Sequence, residues 1–149
     1  MGDDRDLGPG LRRRLTYLLK YALLALEELH EEHLAPLGVN VRELAVLLLL
    51  ADREPESQQQ VAQRLGVDRT TMVGLLDGLE AKALVARRPD AEDRRRNVVE
   101  LTDLGRVTLS QGIQASDQAE KQLLADLSQA DARRLRELLT RVATGGVDP

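Results

Sequence analysis

Leu15, Leu18, Leu19, Ala22, Leu26 and Leu29 recur at steps of three and four residues, the spacing of one face of an amphipathic α-helix. Pro9 stands where that helix can begin. The Ala35-Pro36-Leu37-Gly38 break ends it, because proline cannot continue a helix and glycine relaxes the turn. Asn40 followed by Glu43 forms a capping box for a second helix, apolar on all sides from Leu44 to Ala51, which predicts a place in the middle of the core. Ser57 with Gln60 opens a short helix through Leu65 that stops at Gly66, and Asp68 caps the next, whose apolar positions are Met72, Val73, Leu75, Leu76 and Leu79. Leu84-Val85 and Val98-Val99 are β-prone pairs flanking a polar stretch, Arg87 to Asn97, which predicts a two-stranded ribbon with a charged tip. Thr102 then caps a long helix to about Leu127, Ser128 with Asp131 makes a capping box for a last one, and Gly145-Gly146 ends it. The order is helix, helix, helix-turn-helix, ribbon, helix, helix, with no internal repeat and no low-complexity segment.

A chain of 149 residues is long enough to bury one core, and with no Phe, no Trp and only Tyr17 and Tyr21 that core must be aliphatic. The absence of cysteine excludes a disulfide framework, a thiolate zinc site, a cysteine nucleophile and a thiol switch within the chain. No cationic segment followed by an apolar stretch opens the sequence, and the longest apolar run, Leu44 to Ala51, is far short of a bilayer span; the expectation is a cytoplasmic protein. The formal net charge of −4 divides unevenly: residues 57–98 carry eight Lys/Arg against six acids, hence +2, and −6 lies elsewhere. An acidic body with a mildly basic face can bind phosphates locally while repelling them from its other surfaces.

The run Val61-Ala62, Leu65-Gly66-Val67, Val73 and Leu79 has the small residue and the turn glycine that two closely crossing helices need. In a helix-turn-helix the second helix enters the major groove by its N-terminal residues, which directs Arg69, Thr70, Thr71 and Gly74 at DNA. Arg69 is the one long donor among them and can read guanine. By itself this pattern fits an ordinary helical hairpin equally well. The arginine-rich stretch Arg87 to Arg96 that follows, flanked by β-prone residues, fits a wing: Arg94 at its tip suits a narrow minor groove, Arg95 and Arg96 suit the phosphate backbone, and Asp93 shapes the loop.

The stretch Leu65-Gly66-Val67-Asp68-Arg69-Thr70-Thr71-Met72-Val73, with Leu79 to Val85, Arg88-Pro89-Asp90, Asp93-Arg94-Arg95, Leu101-Thr102 and Gly105, resembles the MarR family of regulators. The resemblance implies a mainly α fold. A winged helix-turn-helix with a small antiparallel ribbon occupies 37–102, and helices at 1–36 and 103–149 form a dimerisation region. It implies a homodimer that reads a pseudo-palindromic operator, as a repressor in most members. The leucine-rich faces at both ends, including Leu15, Leu19, Leu135 and Leu139, exceed what a lone outer helix exposes. The candidate DNA contacts are Ser57, Gln58, Gln59, Asp68, Arg69, Thr70, Thr71, Gly74, Arg88, Arg94, Arg95 and Arg96. Three departures matter. The family's usual aromatic residue near the start of the second helix is missing, with Glu43 and Leu44 in that region. Gly74 and Gly78 lie inside the recognition helix, which predicts sparse base readout, and Ala83 replaces the family's usual helix-ending glycine, which predicts a differently shaped helix end.

Many family members bind phenolic or other aromatic acids. The candidates for such a ligand here are Tyr17, Lys20, Tyr21, His30, His33 and Arg42, a cation for the carboxylate and a ring for stacking. The pair His30 and His33 has no further His or Cys to complete a zinc site, so neither metal nor cofactor is expected. Without a Gly-rich phosphate loop, a Gly-x-Ser-x-Gly elbow or a dense His and carboxylate cluster, catalysis is not expected. The rival reading is a helical module that uses the hairpin to bind a protein, against which the wing is the main argument.

Overall fold

In the computed structural model, which describes residues 8–145, polar side chains start the helices where the sequence places them. Asn40 and Ser57 cap α3 (Val41–Ala51) and α4 (Gln58–Leu65) through complete capping boxes with Glu43 and Gln60. Asp68 caps α5 (Arg69–Ala81), and Ser128 caps α7 (Gln129–Ala143) by accepting from the Asp131 N–H. The N-terminal helix departs from expectation. A short α1 (Gly8–Arg12) precedes α2 (Leu15–Leu34), and a single 3-10 turn, Ala35–Leu37, closes on Gly38 at φ 72°. Gly146, the second glycine of the expected terminal pair, lies outside the described residues.

The described residues fall into two compact units, 8–29 with 118–145 and 30–117. The second takes in the end of α2 and the first part of α6 (Asp103–Leu123) beside the 37–102 stretch. Its core is aliphatic, as the composition requires: Leu34, Leu47, Leu76, Leu79, Val46, Val61, Val85 and Val99 are fully buried with Met72. α3 crosses this core without being enclosed on all sides. Leu44, Val46, Leu47 and Leu50 are buried, but Leu48 remains 47% exposed.

The expected two-stranded ribbon is part of a three-stranded antiparallel sheet in the order β1-β3-β2, with β2 (Val85–Pro89) and β3 (Asn97–Leu101) as the ribbon. The added strand, β1 (Glu56–Ser57), pairs Glu56 with Val99 and Ser57 with Val98. Two residues cannot show an alternating pattern, so the sequence carried no strand signal there.

At the end of α5, Ala83 adopts φ 59°, the left-handed conformation that favours glycine, and closes the helix with a Schellman turn: Leu84 N–H donates to Leu79 O at 3.0 Å and Ala83 N–H to Glu80 O at 2.9 Å. The contacts that follow the turn hold it against the cost of a Cβ in this region. Thr102 donates its hydroxyl to Ala83 O at 2.6 Å and its N–H to Leu84 O at 3.1 Å, while accepting from Gly105 N–H at 2.9 Å to cap α6. Ala83→Gly is expected to raise the unfolding free energy by about 0.5–1 kcal/mol, read as a higher urea midpoint at unchanged slope.

The other unit contains α1, the start of α2, the end of α6 and α7. It carries an open apolar groove lined by Leu15, Leu19, Leu26, Leu123, Leu135 and Leu139 among others. Glu120 and Arg136 form an ion pair at 2.9 Å beside it. α6 ends at Leu123 rather than near Leu127. Among the described residues no single helix is long and apolar enough to cross a membrane.

Candidate nucleic-acid interface

α4 and α5 are joined by a turn that needs glycine. Gly66 sits at φ 65°, its N–H donates to Gln63 O at 3.2 Å, and Val67 N–H donates to Ala62 O at 3.1 Å. Ala62 is buried where the two helices approach. Asp68 then starts α5 with both carboxylate oxygens engaged: Oδ1 accepts from Thr71 N–H at 2.8 Å and Oδ2 from the Thr71 hydroxyl at 2.6 Å. The Thr71 hydroxyl and N–H together hold the Asp68 carboxyl below the ordinary aspartate range.

A carboxyl whose pKa is lowered by folding stabilises the fold above its unfolded pKa, about 4, and loses that contribution as pH falls through the lower folded value. The stability advantage of the native chain over Asp68→Asn is therefore expected to be full near neutrality and to shrink as acid is added below about pH 4. Parallel urea titrations of the two proteins read the difference directly.

One open groove gathers residues from α4, the start of α5 and the wing loop where it enters β3. Ser57, Gln58, Gln59, Arg69, Arg95 and Arg96 line it, six of the twelve candidate DNA contacts, together with Gln63, Val73 and Asn97. Ser57 is buried and its hydroxyl is committed to Gln60, so its place in this groove is mainly that of a helix cap. Asp68, Thr70, Thr71, Gly74, Arg88 and Arg94 lie outside this lining. Gln63 and Asn97 were missed in the sequence. Gln63 is one helical turn beyond Gln59 on the same face, a signal that was available.

The arginines and lysines of this region separate into two groups. Arg64 bonds Glu56 at 2.8 Å, Lys82 bonds Glu43 at 2.8 Å and Gly38 O at 2.7 Å, and Arg88 bonds Glu100 at 3.1 Å. Arg87, with its side chain 19% exposed, bonds Glu80 and Asp77 of α5 and Gln58 of α4. Glu80 and then Asp77 raise the Arg87 pKa, and Arg87 in turn lowers that of Glu80. In contrast, Arg69, Arg94 and Arg95 have no ion pair among the described residues, and Arg96 makes only a 3.5 Å contact with the Ser57 hydroxyl. The paired cations tie the fold together; the charges of Arg69, Arg94 and Arg95 are not balanced by an ion pair among the described residues.

Backbone and carboxylate contacts shape the wing tip. Asp90 N–H donates to Arg96 O at 2.8 Å and Arg96 N–H to Asp93 O at 3.0 Å, while the Asp90 and Asp93 carboxylates accept from the N–H groups of Glu92 and Arg95. Asp93 thus has the loop-shaping geometry its charge suggested.

The ligand candidates are divided between the units. Tyr17, Lys20 and Tyr21 belong to the first, with Tyr17 and Tyr21 stacked at a ring-centroid distance of 6.2 Å. His30, His33 and Arg42 belong to the second. His30 is buried, with Nε2 3.0 Å from the Ser116 hydroxyl. Arg42 lines a shallow depression with Asp68 and Thr71 at the start of α5. Among the described residues no three His, Cys, Asp or Glu side chains cluster to hold a metal.

A helix-turn-helix followed directly by a β2–β3 hairpin, with unpaired arginines on both, defines a winged helix-turn-helix protein. A family model described as the MarR family matches residues 37–96. The HTH-type transcriptional regulator YdgJ of Bacillus subtilis is 30% identical over 105 residues, 70% of this chain and 64% of that protein. The HTH-type transcriptional repressor NicR of Pseudomonas putida is 30% identical over 100 residues, 67% and 63% of the two chains. The matched stretch thus spans less than two thirds of either curated relative. The repressor CouR, solved bound to a 23-mer DNA duplex, superposes with a TM-score of 0.84 at 32% identity, over 91% of this chain and 96% of that one. CouR of Rhodococcus jostii RHA1 has also been solved with p-coumaroyl-CoA, at a TM-score of 0.77 and 26% identity over 95% of this chain and all of that one. The chain belongs to the MarR family of helix-turn-helix transcriptional regulators.

Proposed function

We propose that this chain is a sequence-specific double-stranded DNA-binding repressor. It acts in the cytoplasm as a homodimer on a pseudo-palindromic operator and is released by a small aromatic or phenolic ligand. The observation that carries the DNA reading is the groove that brings Arg69, Arg95 and Arg96 to one face while the neighbouring cations are neutralised within the fold. Such a face attracts a polyanion and has little to offer an apolar protein partner. Repression is supported by the relatives NicR and CouR, both repressors, and a small effector by the CouR complex with p-coumaroyl-CoA.

On this reading residues 1–36 and 103–149 form the dimerisation region and 37–102 the reading head. The apolar groove beside α7 supports a second copy, since Leu15 at 72% and Leu19 at 50% exposure leave an apolar surface that a monomer would keep in water. Tyr17, Lys20, Tyr21, His30, His33 and Arg42 are the candidates for the effector, released DNA being the result of its tighter binding to the unbound conformation.

Titration of the protein against duplex from its own upstream region, at about 50 mM and about 200 mM salt, is expected to give an affinity that falls steeply with salt. A preference of about a thousandfold or more over random duplex should accompany it. Aromatic carboxylic acids added to the same titration should release the duplex. Salt-insensitive binding, or equal affinity for random DNA, would refute the reading.

A further inference from the structure

Arg87 stands apart among the wing arginines, because its guanidinium is spent inside the protein. Nε donates to Glu80 at 3.1 Å, Nη2 donates to Asp77, and Nη1 donates to Gln58 Oε1 at 2.8 Å. The last bond has a consequence for the groove. A guanidinium has only donors, so the side of the Gln58 amide that faces it must be the oxygen. The amide NH2 is then turned away from Arg87. Gln58 also lines the groove shared by Arg69, Arg95 and Arg96. An amide free to flip would present its oxygen or its NH2 in turn; one held by its oxygen against Arg87 presents the NH2 on the other side, whose donors suit a phosphate oxygen and not a second donor.

We propose that Arg87 is a positioning residue that locks Gln58 as a donor-only contact to the DNA backbone, so that a wing arginine contributes to DNA binding without touching DNA. The assignment rests on the DNA reading above and adds to it which face of Gln58 meets the phosphate and what holds it there. Two carboxylates balance the Arg87 charge, so its role is separable from that of Arg95, whose charge is unpaired.

The test is a set of duplex titrations at two salt concentrations with the native chain, Gln58→Ala, Gln58→Glu, Arg87→Lys and the double variant Gln58→Ala/Arg87→Lys, with a urea melt of each. Lysine keeps the positive charge but has no second nitrogen with which to hold both helices at once. Gln58→Ala is expected to weaken binding about tenfold in the native background and by less than half of that, on a logarithmic scale, beside Arg87→Lys. Arg87→Lys should leave the salt slope unchanged. Gln58→Glu should hold or raise the urea midpoint, since its carboxylate faces Arg87, and yet weaken DNA binding at least as much as Gln58→Ala. A merely structural role would move the melt and the affinity together. A Gln58→Ala cost below twofold, an equal cost in both backgrounds, or native affinity in Gln58→Glu overturns the inference while leaving the DNA reading intact; if the native chain itself shows no salt-dependent preference for its duplex, the DNA reading is what has failed.

Discussion

Gly105→Ala is expected to lower the unfolding free energy by about 3 kcal/mol, near the upper end of what overpacking costs. A Cβ at Gly105 would collide with the Leu84 carbonyl oxygen and lie 3.0 Å from its carbonyl carbon. Neither partner can yield easily. Leu84 O is held by Thr102 N–H, and Gly105 N–H is held by the Thr102 hydroxyl that also bonds Ala83 O. The first turn of α6 is thereby pinned to the end of α5 by a main-chain bond and the Thr102 hydroxyl, and a methyl group there must separate them. Two other helical glycines calibrate the result. Gly112→Ala would meet the Leu44 Cδ1 methyl at 2.7 Å, a flexible side-chain end that can move, and should cost less. Gly74→Ala meets nothing within 4 Å and should stabilise, by about 0.5–1 kcal/mol from helix propensity. Urea melts of the three variants test the order; a Gly105→Ala midpoint equal to that of the native chain would show that α6 does not start against Leu84.

Arg69→Ala and Arg95→Ala are expected to weaken operator binding in different ways. Arg69, at the first position of α5, should cost about 1–3 kcal/mol and relax the preference at one base pair. Arg95, in the wing loop, should weaken every duplex alike and reduce the salt slope by about 1. Both side chains line the same groove and neither has an ion pair among the described residues, so removing either leaves no orphaned carboxylate and little effect on folding. Duplexes with single base changes, measured at several salt concentrations, separate the two behaviours. Identical profiles would mean that the helix and the wing do not divide the labour of reading and holding.

The local features of this protein were written in the sequence because they depend on neighbours within a few residues. Asn40 with Glu43, Ser57 with Gln60, Asp68, Ser128, the turn at Gly66 and the loop at Asp93 each satisfy backbone donors two or three positions away, or supply a conformation their own residue type prefers. The aliphatic core followed from a composition with almost no aromatic residues. Three things waited for the tertiary structure. β1 exists only because β3 offers it a ladder, and Ala83 holds a left-handed turn only because Thr102 and Leu84 surround it. The division of the arginines is the third. In sequence Arg87, Arg88, Arg94, Arg95 and Arg96 are one basic run, and only the pairing of Arg87 with Asp77, Glu80 and Gln58, and of Arg88 with Glu100, shows which charges are spent on the fold. Charge pairing over long sequence separations is a property of the folded surface, and no local pattern encodes which cation finds its partner inside the protein.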